Sequence, residues 1–272
     1  MAITLLNGHF INSEQPALYA DDRGFHYGDG IFETMLLQRG KVRFLEDHWQ
    51  RLISGCERLA LNQPDRVLFD SELSKLISGH DNGVVKFVFS RGRSERGYRA
   101  LAGSSPTRLW QLHQPSEIGL TTSIKVRWCN TRLSRNSDLA NIKHCNRLEQ
   151  ILALNEWQDR DINEGLMLDT DGELVCGTMS NVFLMIDEAL VTPDLRFCGI
   201  HGVMRKNIIK SASSMSIPVD VRPVRAEEID LADEIFLTNS IRGIQPVAQL
   251  DQQHWPVGKV TTRLMAALND AV

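Results

Sequence analysis

Short apolar runs separated by asparagine-glycine and aspartate-glycine turns constrain this chain more than any other feature, because such runs pair as strands. Residues 3–6, Asn7-Gly8 and residues 9–11 predict a hairpin, since Asn-Gly reaches the positive φ values that a two-residue turn needs. Asn82-Gly83 precedes a strand over 84–89, and residues 108–113 and 121–128 predict two more. Residues 165–168, the turn Asp169-Thr170-Asp171-Gly172 and residues 173–175 form a second hairpin, which Cys176-Gly177-Thr178-Met179-Ser180 interrupts. Strands follow at 181–186, 219–222 and 234–238, and the turn at 239–247 leads into another extended piece. Helices are fewer. Leu45, Trp49, Leu52, Ile53, Cys56 and Leu59 share one helical face, and further helices are expected from 199–205 on to Met215, over 226–231 and over 260–268. The glycine- and aspartate-rich stretch 21–34 reads as a loop leading into a strand over 31–37. Arg91, Arg93, Arg96 and Arg99 lie in a glycine-broken loop that predicts a mobile segment able to meet an anionic substrate, or else a solvated turn.

A chain of 272 residues exceeds the usual size of a single core, and the polar, proline-marked stretch after His113 separates two domains. The expected division is 1–114, a linker at 115–120, and a larger C-terminal domain at 121–272 that carries Lys143. A net charge of -4 with no basic run excludes an electrostatic nucleic-acid binder. No run of about 18 apolar residues and no export signal at the start predict a soluble, cytoplasmic protein without a membrane partner. The 5 cysteines are scattered without metal-ligand spacing, which predicts reduced thiols and no metal site.

Lys143 stands at the end of the polar loop 134–141, just before Leu148, Ile151, Leu152 and Leu154, whose near-helical spacing predicts a packed helix. A lysine held there is a candidate for Schiff-base chemistry, because burial lowers its pKa and only the neutral amine attacks a carbonyl. The ordinary alternative is a solvated lysine near a helix start. Arg51, three residues after His48, carries a guanidinium fork suited to a phosphate, or is a plain surface arginine. The helix opening at Gly199-Ile200-His201-Gly202-Val203-Met204-Arg205 exposes backbone N–H groups of the kind that bind anions.

Taken in order, these signals resemble one family. Asp22-Arg23 with Tyr27-Gly28-Asp29-Gly30-Ile31-Phe32-Glu33-Thr34, Arg96-Gly97-Tyr98, and Lys143-His144 with Asn146-Arg147-Leu148-Glu149-Gln150 are similar to fold type IV pyridoxal-phosphate enzymes. So are the small-residue loop before Asn181, the Gly-x-x-Arg helix start at Gly202 and the turn before Pro246-Val247. That family holds branched-chain and D-amino-acid aminotransferases and the aminodeoxychorismate lyases, and the likeness extends from residue 22 to 247. Arg147 stands where aminotransferases commonly have tyrosine, so the lyases are the nearer resemblance. It implies an α+β, two-domain fold, pyridoxal 5'-phosphate as cofactor, and a homodimer. The implied reaction converts 4-amino-4-deoxychorismate to 4-aminobenzoate and pyruvate in folate biosynthesis. An amino-acid aminotransferase on the same fold and a non-catalytic pyridoxal-phosphate-binding protein are the alternatives.

The same resemblance implies roles. Lys143 forms the Schiff base and acts as base and acid, while Arg51, the amides of Val203 and Met204, and Ser240 hold the phosphate. Ile241, at the cofactor, and Arg242 lie beside the substrate carboxylate, and Tyr27, Arg96, Tyr98 and Arg147 face the substrate. Cys176 departs from the pattern, since the family usually has a glutamate there, paired with the pyridine nitrogen. A thiol of ordinary pKa about 8.5 is mostly neutral at pH 7 and cannot hold that proton as a carboxylate would. The expected account is that aromatisation of the lyase product supplies the driving force and a weaker electron sink suffices; the alternatives are an impaired or repurposed member, or a nearby carboxylate such as Glu173 reaching in.

Overall fold

The computed structural model describes residues 2–12, 14, 17–100, 103–114 and 123–269, so the expected linker at 115–120 lies outside the described residues. The chain forms two compact units, Met1–Glu117 with Ile142–Asn146, and Ile118–Asn141 with Arg147–Ala271.

In unit 1, Asn7 and Gly8 take φ of 48° and 84°. That turn folds β1 (Ile3–Leu6) back on β2 (His9–Ile11). The chain continues through α1 (Arg23–Tyr27), β3 (Gly30–Gln38), β4 (Lys41–Val42), α2 (Leu45–Arg58), α3 (Arg66–Ile77), β5 (Gly83–Ser90) and β6 (Thr107–His113). Its strands pair antiparallel in the order β2-β1-β6-β5-β3-β4. Ile31 and Met35 of β3 pack with Leu52 and Cys56 of α2, Phe69 and Leu73 of α3, Phe87 and Trp110 in one apolar core. Burial of those faces is the main stabilising term for both helices.

Two elements differ from the sequence expectation. Residues 23–27 are helical rather than a loop, because Asp22 caps the turn through Gly24 N at 2.8 Å and Gly28 ends it at φ 63°. α3 was not expected, since Glu72 interrupts its buried stripe of Phe69, Leu73 and Leu76. That carboxylate accepts from Arg108 and from Trp110 Nε1, which lets it be buried.

Unit 2 contains β7 (Ile124–Trp128), α4 (Leu148–Leu154), β8 (Glu164–Leu168), β9 (Leu174–Gly177), β10 (Asn181–Ile186), β11 (Ala189–Pro193) and α5 (Val203–Ser214). It continues with β12 (Val219–Arg222), a 3-10 turn over Ala226–Leu231, β13 (Glu234–Asn239), β14 (Gly243–Leu250), β15 (Gln253–His254) and α6 (Lys259–Asn269). Among the described residues the strand order is β12-β11-β10-β13-β14-β7-β8-β9, with β15 on β14.

α4 corrects a further expectation. Its Leu148, Ile151 and Leu152 are 73%, 51% and 59% exposed, not packed, and Ala153 is its one buried residue. A seven-residue helix whose inward position is alanine sits close to its support and turns its leucines outward.

Candidate active site

The lysine segment, read in sequence as part of the C-terminal domain, clusters with unit 1. Backbone pairing explains this: Phe32 N–H donates to the Lys143 carbonyl and Cys145 N–H to the Gly30 carbonyl, each at 2.9 Å, with Ile31 opposite His144. Lys143 is half-buried, and its Nζ lies 4.1 Å from the centroid of the Phe32 ring. An amine against an aromatic face is partly desolvated while its charge is attracted by the ring.

From the same strand, Glu33 turns into the space beneath α2. Its Oε1 accepts from Arg51 Nε at 2.8 Å and its Oε2 from Arg51 Nη2 at 2.5 Å. His48 Nδ1 lies 2.6 Å from Oε2. Arg51 is thus held by an ion pair and is no solvated surface arginine, and His48 is buried beside it. Burial alone pushes the Glu33 carboxyl up, but the charge and hydrogen bonds of Arg51, with His48, outweigh it and hold the group at about 2. Burial lowers the His48 pKa; Glu33 opposes that, and the charges of Arg51 and Lys143 add to it. His48 is therefore neutral at pH 7, with Nδ1–H donating to Glu33.

Elsewhere in unit 1 hydrogen bonds tie parts of the arginine loop to its neighbours. Buried Arg23 donates to the carbonyls of Gly97 at 2.9 Å and Tyr98 at 2.7 Å, and to Asp29 at 2.7 Å. Arg91 bonds Asp29, and Arg93 bonds Asp21. The structure brings Tyr27 and Tyr98 together, with ring centroids 5.4 Å apart, and leaves Tyr98 and Arg96 exposed.

In unit 2, α5 begins at Gly202, which makes no side-chain cap bond, and its first amides are those of Val203 and Met204. Asn181 fixes the approach to this helix by donating from Nδ2 to the Ile200 carbonyl at 2.9 Å. A Cβ on Gly202 would stand 2.0 Å from Asn181 Oδ1, so any larger residue there displaces Asn181 or the start of the helix. A helix start whose cap residue is a glycine fits an anionic group such as a phosphate. The turn with Ser240, Ile241 and Arg242 is built by Asn239, whose Oδ1 accepts from the amides of Ile241 at 3.0 Å and Arg242 at 2.8 Å.

Cys176 is buried among Cys129, Met167, Val175 and Cys198, and burial first, then Cys198 and Glu164, push its thiol far above the ordinary range. It is a neutral thiol at pH 7. Arg147, half-buried at the start of α4, exerts its charge on that thiol. Glu173 lies 3.5 Å from Arg135, which also pairs with Asp169 and Asp171. Glu164 is the buried acid of this region. Its Oε1 accepts from Thr178 Oγ1 and from the Met179 amide, its Oε2 has no hydrogen-bond partner, and burial raises its pKa against those bonds and Arg242.

Glu33, Arg23, Glu164, Asn181 and Asn239 were not expected as organisers of these sites. Only the glutamate in the otherwise apolar run 30–37 offered a signal, as a charge where a strand buries alternate residues.

Residues 30–250 match the family described as amino-transferase class IV. The chain is 30% identical over 256 residues to an aminodeoxychorismate lyase of Vibrio harveyi, covering 91% of this chain and 94% of that protein. The structure of a 4-amino-4-deoxychorismate lyase from Pseudomonas aeruginosa superposes with a TM-score of 0.91 at 40% identity over 99% of both chains. A branched-chain amino acid aminotransferase from Escherichia coli shares the fold, with a TM-score of 0.87 at 22% identity over 99% of this chain and 94% of that one. The chain belongs to the amino-transferase class IV family, with the fold type IV architecture.

Proposed function

We propose that this protein is a pyridoxal-phosphate-dependent carbon–oxygen lyase that converts 4-amino-4-deoxychorismate into 4-aminobenzoate and pyruvate. The observation that carries the reading is Lys143, whose carbonyl accepts from the Phe32 amide of β3 and whose Nζ lies over the Phe32 ring. The likeness to the lyases of Vibrio harveyi, at 30% identity, and Pseudomonas aeruginosa, at 40%, supports lyase over aminotransferase chemistry.

In this reading Lys143 supplies the amine, Arg51, the amides of Val203 and Met204 and the Ser240 hydroxyl serve the phosphate, and Ile241 and the neutral Cys176 serve the cofactor ring. The cofactor supplies the electron sink for the pair left when a proton departs. Lys143 Nζ takes that proton from the ring carbon bearing the amine. The bond from the ring to the enolpyruvyl oxygen then breaks, and Lys143 returns the proton to the departing group. The two products together have the composition of the substrate, so no water or oxidant enters. Aromatisation drives the step, which is why a thiol at position 176 suffices. Tyr27, Arg96, Tyr98, Arg147 and Arg242 meet the substrate's carboxylates and ring.

A homodimer is part of the reading, supported by the exposed apolar face of Leu148, Ile151 and Leu152. The free thiols of all the described cysteines support a reducing, cytosolic setting. No helix of the described residues is long and apolar enough to cross a membrane. Purified protein given 4-amino-4-deoxychorismate tests the function: release of 4-aminobenzoate with equimolar pyruvate supports it. Transfer of an amino group to 2-oxoglutarate with no 4-aminobenzoate would assign an aminotransferase instead, and cofactor binding without turnover a carrier.

A further inference from the structure

β3 does two things at adjacent positions. Phe32 holds the Lys143 segment through its N–H, and Glu33 turns its carboxylate onto α2. There the two oxygens of Glu33 receive Nε and Nη2 of Arg51, and Oε2 also meets His48 Nδ1. Glu33 is 2% and His48 1% exposed. Taking a carboxylate, a guanidinium edge and an imidazole out of water is costly, and apolar side chains of the same volume would fill this space at least as stably. The arrangement therefore calls for a reason beyond stability.

A guanidinium on a long flexible side chain meets a phosphate through its fork only when its plane is set. The Glu33 carboxylate grips one edge of that plane. His48 restrains the carboxylate in turn, since a neutral imidazole donating from Nδ1 stops Glu33 from rotating away. Nε2 of the same ring is buried with no hydrogen-bond partner, so Nδ1 is the one ring nitrogen doing this bonding.

We propose that Glu33 and His48 are positioning residues for Arg51, fixing its guanidinium in the orientation that receives the cofactor's phosphate. This deepens the functional reading above and rests on it. Glu33 also carries a negative charge toward the site, so Arg51 acts there as a directional donor more than as net positive charge.

The test titrates the full-length apoprotein with pyridoxal phosphate and, separately, with pyridoxal, which has the aldehyde but no phosphate. Glu33→Gln keeps the side-chain volume; His48→Asn keeps an N–H donor near the Nδ1 position, and His48→Leu removes it. Positioning predicts that Glu33→Gln and His48→Leu weaken pyridoxal phosphate about tenfold or more, the range of a lost charge-assisted bond. Pyridoxal affinity should not change, and His48→Asn should retain most of the wild-type affinity. In an Arg51→Lys background, Glu33→Gln should add no further loss, since residues acting as one unit are non-additive. Equal weakening of both aldehydes, or phosphate-cofactor binding that is unchanged or tighter in Glu33→Gln, would overturn the proposal. A wild-type protein that takes neither aldehyde would sink the functional reading as well, a result distinct from any difference among variants.

Discussion

Arg51 and Glu33 meet edge to edge, Nε to Oε1 at 2.8 Å and Nη2 to Oε2 at 2.5 Å, with side-chain exposures of 11% and 2%. Their pairing joins α2 to the strand that also seats Lys143. Neither partner can be removed alone without leaving the other's charge buried.

Acid should therefore weaken the protein through Glu33. Its folded pKa of about 2 lies below the ordinary 4.5, so its stabilisation is present above about pH 4.5 and lost as pH falls toward 2. The shift corresponds to on the order of 3 kcal/mol. Urea unfolding should show Glu33→Gln destabilised by that order at about pH 7, with the gap to wild type roughly halved by about pH 3 and closing only toward pH 2. A gap independent of pH would contradict the assignment.

Glu164 should behave in the opposite sense. Burial raises its folded pKa above the ordinary 4.5, so its contribution is full below about 4.5 and lost as pH rises through the folded value. Glu164→Gln keeps an oxygen for Thr178 and the Met179 amide while removing the buried charge. At about pH 8 the variant should melt about 2–4 °C higher than wild type, for a gain of about 1 kcal/mol, and at about pH 4.5 no higher. A lower melting temperature at the alkaline pH would show that the charged form is the stabilising one.

Gly202→Ala tests the anion site of unit 2. The new Cβ would lie 2.0 Å from Asn181 Oδ1, so Asn181 or the start of α5 must move. Affinity for pyridoxal phosphate should fall about tenfold, equivalent to about 1.4 kcal/mol. Circular dichroism should remain that of wild type. Unaltered affinity would remove this helix start from the phosphate site.

Leu148 and Ile151 test the assembly. Replacing both with glutamate places charge on the exposed apolar face of α4, and sedimentation should shift from dimer to monomer. A wild-type monomer, or a variant that stays dimeric, would show that this face is not the subunit contact.

The residues themselves explain what the sequence revealed and what it hid. Asn7-Gly8 and the apolar spacing from Leu45 to Leu59 are local codes, and β1, β2 and α2 formed where those codes placed them. α1 was hidden because Gly24 and the glycines after it argue against a helix, and only the caps at Asp22 and Gly28 make a single turn hold. The outward leucines of α4 were hidden for another reason: spacing identifies an apolar face without saying what it faces. Lys143 and Arg51 stood out through resemblance to the family, but Glu33 and His48 act through partners 18 and 15 residues distant in the chain, across an element boundary. No pattern along the sequence reports such a pairing.

The central claim is that Lys143 is the amine that takes the cofactor's aldehyde. Incubation with pyridoxal phosphate, borohydride reduction, digestion and mass spectrometry should find the phosphopyridoxyl mass on Lys143. Lys143→Ala should lose both the label and lyase turnover, the latter by about a thousandfold or more. A label on another lysine, with 4-aminobenzoate still formed at the wild-type rate by Lys143→Ala, would contradict it.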